Sequence, residues 1–476
     1  MKLKDKIKEE AGFQYVVEGL ELMSSVGRKK LLEQEMDIYP APIEAELNRI
    51  ALAVDIIKDE KNKKPLMDLQ HQLMRLTNIE GTINHLEHRT VLDEIELYEI
   101  KNLSYLTINV NRAAEKMGLA ATLSIPDMQD IFDLLDPDHT RIANFYIYDS
   151  YHPELGLLRK KLKGLQTKLE VHQSEMSEDE IAQLNTEINE VFTQQTAIEQ
   201  EVIVHLSDEL FKYHKRVAKA IDRMGYADVL LAKATQVIEW GLCRPNVYGK
   251  STKYKQLFNP RLKHRNESQD LRYQPIDVEV HSGLTLITGA NMAGKTVVLK
   301  TLGISQLMAQ YEMFVPAESA DIVILDDVLF CIGDEQNEMN GLSSFASEII
   351  KISDALRRTE KEDMLVLIDE PARTTNPIEG KAIVQAVGSL LNERKSISLI
   401  TTHYSQLGIG CRRLRVKGFM EEMVDAPLTP QNINRFMDYA LVEDENEDVP
   451  QEALRIATIL GCDEEMIRKA KEFASK

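Results

Sequence analysis

LTLITGANMAGKTVVLKTL, residues 284–302, is the stretch on which the fold turns. Leu284 to Thr288 are apolar and β-branched enough for a short buried strand, and Val297 to Leu302 continue as a helix. Between them Gly289, Ala290, Asn291, Met292, Ala293, Gly294, Lys295 and Thr296 satisfy G-x-x-x-x-G-K-[ST] in full. The glycines let backbone N–H groups close around phosphate oxygens at the positive end of a helix dipole. Lys295 then neutralises the outer phosphates, and the Thr296 hydroxyl is a ligand for Mg2+. Strand, loop and helix in this order predict a P-loop domain that takes ATP and Mg2+.

Downstream, further apolar runs at Ile322 to Leu325, Met364 to Ile368 and Ser396 to Ile400 alternate with helical stretches, the pattern of a largely parallel sheet. A P-loop site needs an acid at a neighbouring strand end to help hold the metal. Asp326-Asp327 and Asp369-Glu370 both follow apolar runs. The second pair is preferred, with Asp369 serving the metal and Glu370 polarising the attacking water as general base. The first pair has no glutamate, and its acids can simply terminate a strand. His403, in Thr401-Thr402-His403 after the last run, would face the γ-phosphate and sense it. Asn340-Gly-Leu-Ser343-Ser344-Phe345 precedes a helix from about Ala346. Its small hydroxyl residues read either as an ordinary N-cap or as an anion site that completes a second subunit's nucleotide pocket.

Upstream, Phe13 to Ile147 reads as helices. Ile43, Leu47, Ile50, Ala51, Val54 and Ile57 recur at helical spacing after Pro40 and Pro42. Phe145-Tyr-Ile-Tyr148 is aromatic and β-branched enough for a short strand. Leu158, Leu162, Leu165 and Leu169, then Ile181, Leu184, Ile188, Val191, Gln195, Ile198 and Val202, form a heptad seam in two pieces. Ser177-Glu-Asp-Glu180 is a capping box that starts the second piece. The reading is an antiparallel helical hairpin acting as a long lever; two amphipathic helices packed on a globular core is the alternative. Arg159, Lys160, Lys161, Lys163 and Lys168 put positive charge on the first helix, either for nucleic acid or as a solvated face. The expected domains are a helical core at 1–150, the lever at 151–225, a return to the core at 226–250, the ATPase domain at 251–442, and an acidic linker with a C-terminal helix at 443–476.

Composition narrows the partners. The formal net charge of −20 lowers the expectation of tight, nonspecific DNA binding, although a local basic face can sit on an acidic body. No apolar run reaches the roughly 18 residues a membrane span needs. The opening MKLKDKIKEEAGF turns acidic before any apolar run, so no signal peptide is expected there. Cys243, Cys331, Cys411 and Cys462 form no CxxC pair and suit a reducing cytoplasm.

TGANMAGKT (288–296), FVPAESADI (314–322), FCIGDEQNEMNGLSSFASEI (330–349), LVLIDEPARTTNPIEG (365–380) and TTHYSQL (401–407) together resemble the MutS family of ATPases. MSSVGRKKLL (23–32), YADVLLAKATQVIEWGLCRPNVY (226–248) and ALRIATILGCDEEMIRKAKEF (453–473) extend the likeness over nearly the whole chain. The resemblance implies a multidomain protein: an N-terminal all-α core with an antiparallel helical lever hairpin, then a C-terminal α/β P-loop domain of ABC type. It implies Lys295 and Thr296 as phosphate and Mg2+ ligands, Asp369 as the Walker B acid, Glu370 as catalytic base and His403 as the switch histidine. Ser343 would be a signature serine acting in trans in a homodimer, or in a dimer with a related chain, with Arg373 and Thr375 at the interface.

The departures matter too. Pro371 to Pro377 replaces a glycine-rich loop, Leu342 stands where an arginine is usual, and Tyr273 is a weak candidate to stack on adenine. The family's mismatch-reading and connector domains, its C-terminal dimerisation extension and the nuclease domain of some relatives are expected to be missing. Two roles follow for the ATPase. One is a clamp on DNA; the other is reactivation of an adenosylcobalamin-dependent aminomutase, beside which short MutS-like proteins occur. A nucleotide-dependent scaffold with little turnover is a third.

Overall fold

A computed structural model describes residues 1–172, 176–289, 294–333, 344–420, 433–444, 454, 457–458 and 461–474. The chain divides into two compact units. One comprises Leu22–Leu31 and Asp55–Ala232; the other comprises Met1–Glu21, Leu32–Val54 and Lys233–Lys476. Helices and a mixed, mainly parallel sheet make up the fold, as the sequence pattern predicts. Among the described residues, no helix is long and apolar enough to cross a membrane.

The first unit is helical. Its central helix, Glu94–Met117, opens on a reciprocal capping box between Asp93 and Glu96 and stops at Gly118 in the left-handed conformation. Leu97, Ile100, Leu106 and Val110 are fully buried. The expected strand at 145–148 does not form. No neighbouring strand offers Phe145 to Tyr148 a ladder, and a lone strand leaves its backbone groups unpaired. Tyr148 instead packs its ring on Tyr146 and accepts a hydrogen bond from the buried Lys101 at 2.8 Å. Lys101 also meets the buried Asp136 at 3.1 Å.

In the same unit Leu155–His172 and Glu178–Phe211 pack together. Arg159 pairs with Glu199 at 2.7 Å and Lys161 with Glu187 at 2.8 Å, so the two helices run antiparallel. Leu162, Leu184, Val191 and Val202 of the heptad seam are buried. The capping box at Ser177 and Glu180 is made in both directions.

The second unit is α/β. Its strands are β1 (Thr252–Leu257), β2 (Ile276–Val280), β3 (Gly283–Thr288), β4 (Ser319–Asp321), β5 (Asp327–Cys331), β6 (Met364–Asp369), β7 (Ile397–Thr401), β8 (Arg412–Phe419) and β9 (Met437–Glu443). β2-β1-β4 form a small antiparallel sheet, and the main sheet has the order β5-β6-β7-β3-β8-β9. The first five strands of that order are parallel; β9 is antiparallel to β8. β3 and β7 are buried at every position, as befits central strands covered on both faces.

One strand is displaced from expectation. Ile322 to Leu325 lies outside the main sheet, and β5 begins only at Asp327. The opening residues of the chain pack on this strand. The Lys6 ammonium donates to the Val328 carbonyl at 2.9 Å and meets Asp327 at 2.8 Å, fully buried. Gly12 lies so close to Ile304 that a Cβ would approach its Cδ1 to 2.5 Å.

Candidate functional site

Parallel strands deliver their C-terminal ends to one edge of a sheet, the edge where open α/β folds bind ligands. The register places Ile287, Asp369 and Thr401 side by side there. The loop after β3 leaves from Gly289 (φ 134°) and returns at Gly294 (φ 82°), both in the left-handed region that glycine tolerates best. Gly294 caps the helix Lys295–Gln310. Ala290, Asn291, Met292 and Ala293 lie outside the described residues, as does Ser343.

Four of the side chains singled out in the sequence meet at this edge. The buried Lys295 ammonium donates to the Gly289 carbonyl at 2.7 Å and lies 3.1 Å from Glu370 Oε1. Thr296 Oγ1 donates to Asp369 Oδ2 at 2.7 Å. A hydroxyl and a carboxylate oxygen are hard donors of the kind Mg2+ takes, usually alongside water and substrate phosphates. Among the described residues there is no cluster of three or more His, Cys, Asp or Glu that could hold a metal on its own. One hydroxyl and one carboxylate leave most of an octahedral shell to water and to a phosphate ligand.

Glu370 (φ 43°) and Ala372 (φ 59°) both adopt left-handed backbone, which costs a residue with a Cβ about 1–3 kcal/mol and persists where surroundings over-determine it. Two contacts do so here. The Glu370 amide donates to Thr401 Oγ1 at 2.8 Å, and the Ala372 amide donates to Glu348 Oε1 at 3.1 Å. Glu348 stands on the helix Ser344–Arg358, which starts immediately after Ser343. Burial raises its pKa above the usual carboxylate range; the Ala372 amide and Arg373 pull in the opposite direction.

The remaining expected residues stand further off. His403 follows β7, exposed, with its ring 4.4 Å from that of Tyr404. It makes no hydrogen bond with another described residue. Arg373 is largely exposed, its guanidinium 3.5 Å from Glu370 Oε2.

Tyr273 is anchored through its hydroxyl. Its mostly buried hydroxyl accepts from the Asn259 amide at 2.7 Å, which ties the ring into the fold. Among the described residues, Tyr439 is an aromatic that reaches the end of this loop at Gly294. A Cβ on Gly294 would sit 3.2 Å from Tyr439 Cδ1. Gln274 holds Tyr439 in place: its side chain accepts from the Tyr439 amide at 3.3 Å and donates to Asp438 at 2.7 Å. Sequence reasoning passed over Tyr439 because nothing local says that β9 returns to this loop. The alternation Met437-Asp-Tyr439-Ala-Leu441 was the one available signal.

Asp326-Asp327, the rival acid pair, lies at the opposite edge. Asp327 is level with Met364, the first residue of β6, and Asp369 is the last. Asp327 begins its strand rather than ending it, and it is spent on Lys6 and on Arg358, the latter at 2.8 Å.

Comparison with known proteins places this edge in context. Residues 285–476 match the MutS domain V family, the ATPase domain of MutS proteins. The chain is 32% identical over 302 residues to "Endonuclease MutS2" of Fusobacterium nucleatum subsp. nucleatum, covering 62% of this chain and 37% of the relative. It is 33% identical over 227 residues to "Endonuclease MutS2" of Thermus thermophilus, covering 48% and 29%. It is 32% identical over 218 residues to "DNA mismatch repair protein MutS" of Thermus aquaticus, covering 46% and 26%. The matched segment thus spans between 26% and 37% of these relatives' length.

Proposed function

Because this chain belongs to the MutS family, we propose that it binds ATP at the C-terminal edge of its main sheet and hydrolyses it there. The observation that carries the reading is the meeting of Lys295, Thr296, Asp369 and Glu370 around one loop. The amides of the 289–294 loop cradle the phosphates, and Lys295 leaves Glu370 to meet the β- and γ-phosphate oxygens. Glu370, released from that pair, accepts the proton of a water whose oxygen attacks the γ-phosphorus. The bond from the γ-phosphorus to the β–γ bridging oxygen breaks, and ADP and inorganic phosphate leave. Thr296 and Asp369 would hold Mg2+, which when bound draws charge from the phosphate oxygens. His403 stands after β7, two residues from Thr401, as sensor of the γ-phosphate, and Tyr439 is the ring best placed to meet the base.

The test is nucleotide binding by calorimetry with and without Mg2+. Wild type takes up ATP in a Mg2+-dependent manner and Lys295→Ala does not. Equal behaviour of the two proteins overturns the reading.

For the wider role we propose a cytoplasmic dimer in which Ser343 of one protomer completes the site of the other and ATP drives closure of the lever helices. The domains at 1–150, 151–225, 226–250, 251–442 and 443–476 carry those parts. DNA is the favoured object of closure. Lys160, Lys163 and Lys168 stay exposed, and among the described residues none has an acidic partner within ion-pair distance; Arg159 and Lys161 are already paired. Phosphate contacts of this kind make affinity fall steeply with salt, because counterions are released. A pull-down with Glu370→Gln held in its ATP state separates DNA from a protein client such as a cobalamin-dependent aminomutase. DNA binding absent at low salt overturns the clamp.

A further inference from the structure

One hydroxyl joins the two acids of the site. Thr401, the last residue of β7, is fully buried. Its Oγ1 donates to Asp369 Oδ1 at 2.6 Å and accepts from the Glu370 amide at 2.8 Å. The partners dictate these roles, since an ionised carboxylate only accepts and an amide only donates. With Oδ1 engaged, Asp369 turns its other oxygen, Oδ2, to Thr296. With its amide engaged, Glu370 is held in left-handed backbone, and its side chain reaches Lys295.

Packing alone does not call for this residue. A central parallel strand covered on both faces is best filled by valine or isoleucine, and valine has nearly the shape of threonine. The Thr401 carbonyl also accepts from the Glu370 amide at 3.2 Å, so that amide keeps one partner without the hydroxyl. Asp369 Oδ1 loses the only partner found for it among the described residues.

We propose that Thr401 is a positioning residue for ATP hydrolysis. Its hydroxyl sets the metal-binding carboxylate and the general base in one mutual geometry, so that both act on the same phosphoryl group. The inference rests on the nucleotide-site reading above. The phosphates are gripped by the loop amides and Lys295, which Thr401 does not touch, so its loss falls on turnover and on the metal rather than on ATP itself.

The experiment compares full-length wild type with Thr401→Val and Thr401→Ser in steady-state hydrolysis and in nucleotide binding titrated with Mg2+. Losing an outer partner of a metal ligand typically costs roughly 10–100-fold, and a fall of that size in kcat, with KM for ATP little changed, is expected for Thr401→Val. The Mg2+ concentration needed for half-maximal binding should rise in the same variant. Thr401→Ser, which keeps the hydroxyl, should restore both. Wild-type kcat and Mg2+ dependence in Thr401→Val overturn the proposal. So does Thr401→Ser as impaired as Thr401→Val, because the methyl group would then be what matters. Should Thr401→Val not fold, Thr401→Ala takes its place under the same criteria. Wild type that hydrolyses no ATP sinks the nucleotide-site reading instead, a result distinct from either of these.

Discussion

Asp326-Asp327 and Asp369-Glu370 look alike in the sequence, each an acid pair beside an apolar run, yet they sit at opposite edges of one sheet. The pair at the C-terminal edge is gathered by Thr296, Thr401 and Lys295 and stays beside the loop that leaves Gly289 and returns at Gly294. The pair at the N-terminal edge holds the fold: Asp327 is clamped between Lys6 and Arg358, joining the start of the chain, β5 and the end of the helix Ser344–Arg358. Strand direction, more than residue type, puts one pair beside the glycine loop and leaves the other to cohesion.

Exchange of function between the pairs would break this contrast, and the largest effect is expected at Glu370. Glu370→Gln should lower hydrolysis by roughly 10²–10⁴-fold while nucleotide binding persists, because only the proton acceptor is lost. Single-turnover kinetics with a binding titration decide it. Asp327→Asn should do the reverse. Hydrolysis per folded molecule is kept, but two charged contacts are lost at once. The buried Lys6 ammonium keeps the half-exposed Glu9 at 2.8 Å but loses its buried partner, and Arg358 loses Asp327, together a loss of about 3 kcal/mol in urea unfolding. A catalytic defect in Asp327→Asn without a stability change would overturn the assignment. Lys6→Met should cost less, roughly 1–3 kcal/mol, since Asp327 still has Arg358.

Glu312 sharpens the comparison as a buried acid with weaker compensation. Burial raises the pKa of Asp327, but direct contact with Lys6 and Arg358 more than offsets this, and its pKa ends below the usual range. Glu312 has the Lys233 ammonium only at 3.8 Å, and burial pushes its pKa up to about 7. The folded state then keeps a proton that the unfolded chain releases, so this group's contribution to stability is full below about pH 4.5 and is lost as pH rises toward 7. Unfolding followed across that window should show the decline, and Glu312→Gln should flatten it. A wild-type profile with no slope there removes the effect.

Much of the α/β unit was legible because its signals are local. Lys295 and Thr296 follow a glycine loop between strand and helix, and Asp369 and Glu370 close a run of apolar residues. The helix from Glu464 and the capping box at Ser177 could be read in the same way. The failures were non-local. Phe145 to Tyr148 had strand composition and no strand to pair with. Ile322 to Leu325 had it too, and the ladder formed a few residues later. Tyr439 could not be assigned to the loop without knowing that β8 lies beside β3 and β9 beside β8.

By itself the sequence determined the residues available: a glycine-bounded loop with its lysine and threonine, two acids in tandem, and long amphipathic helices upstream. These depend on residue types at short spacings, where backbone geometry follows from a few neighbours. Only the tertiary structure decided which acid pair faces the loop, that residues 1–21 belong with the α/β unit, and that one buried hydroxyl ties Asp369 to Glu370. Those depend on strand order and register, which arise when distant segments share one core.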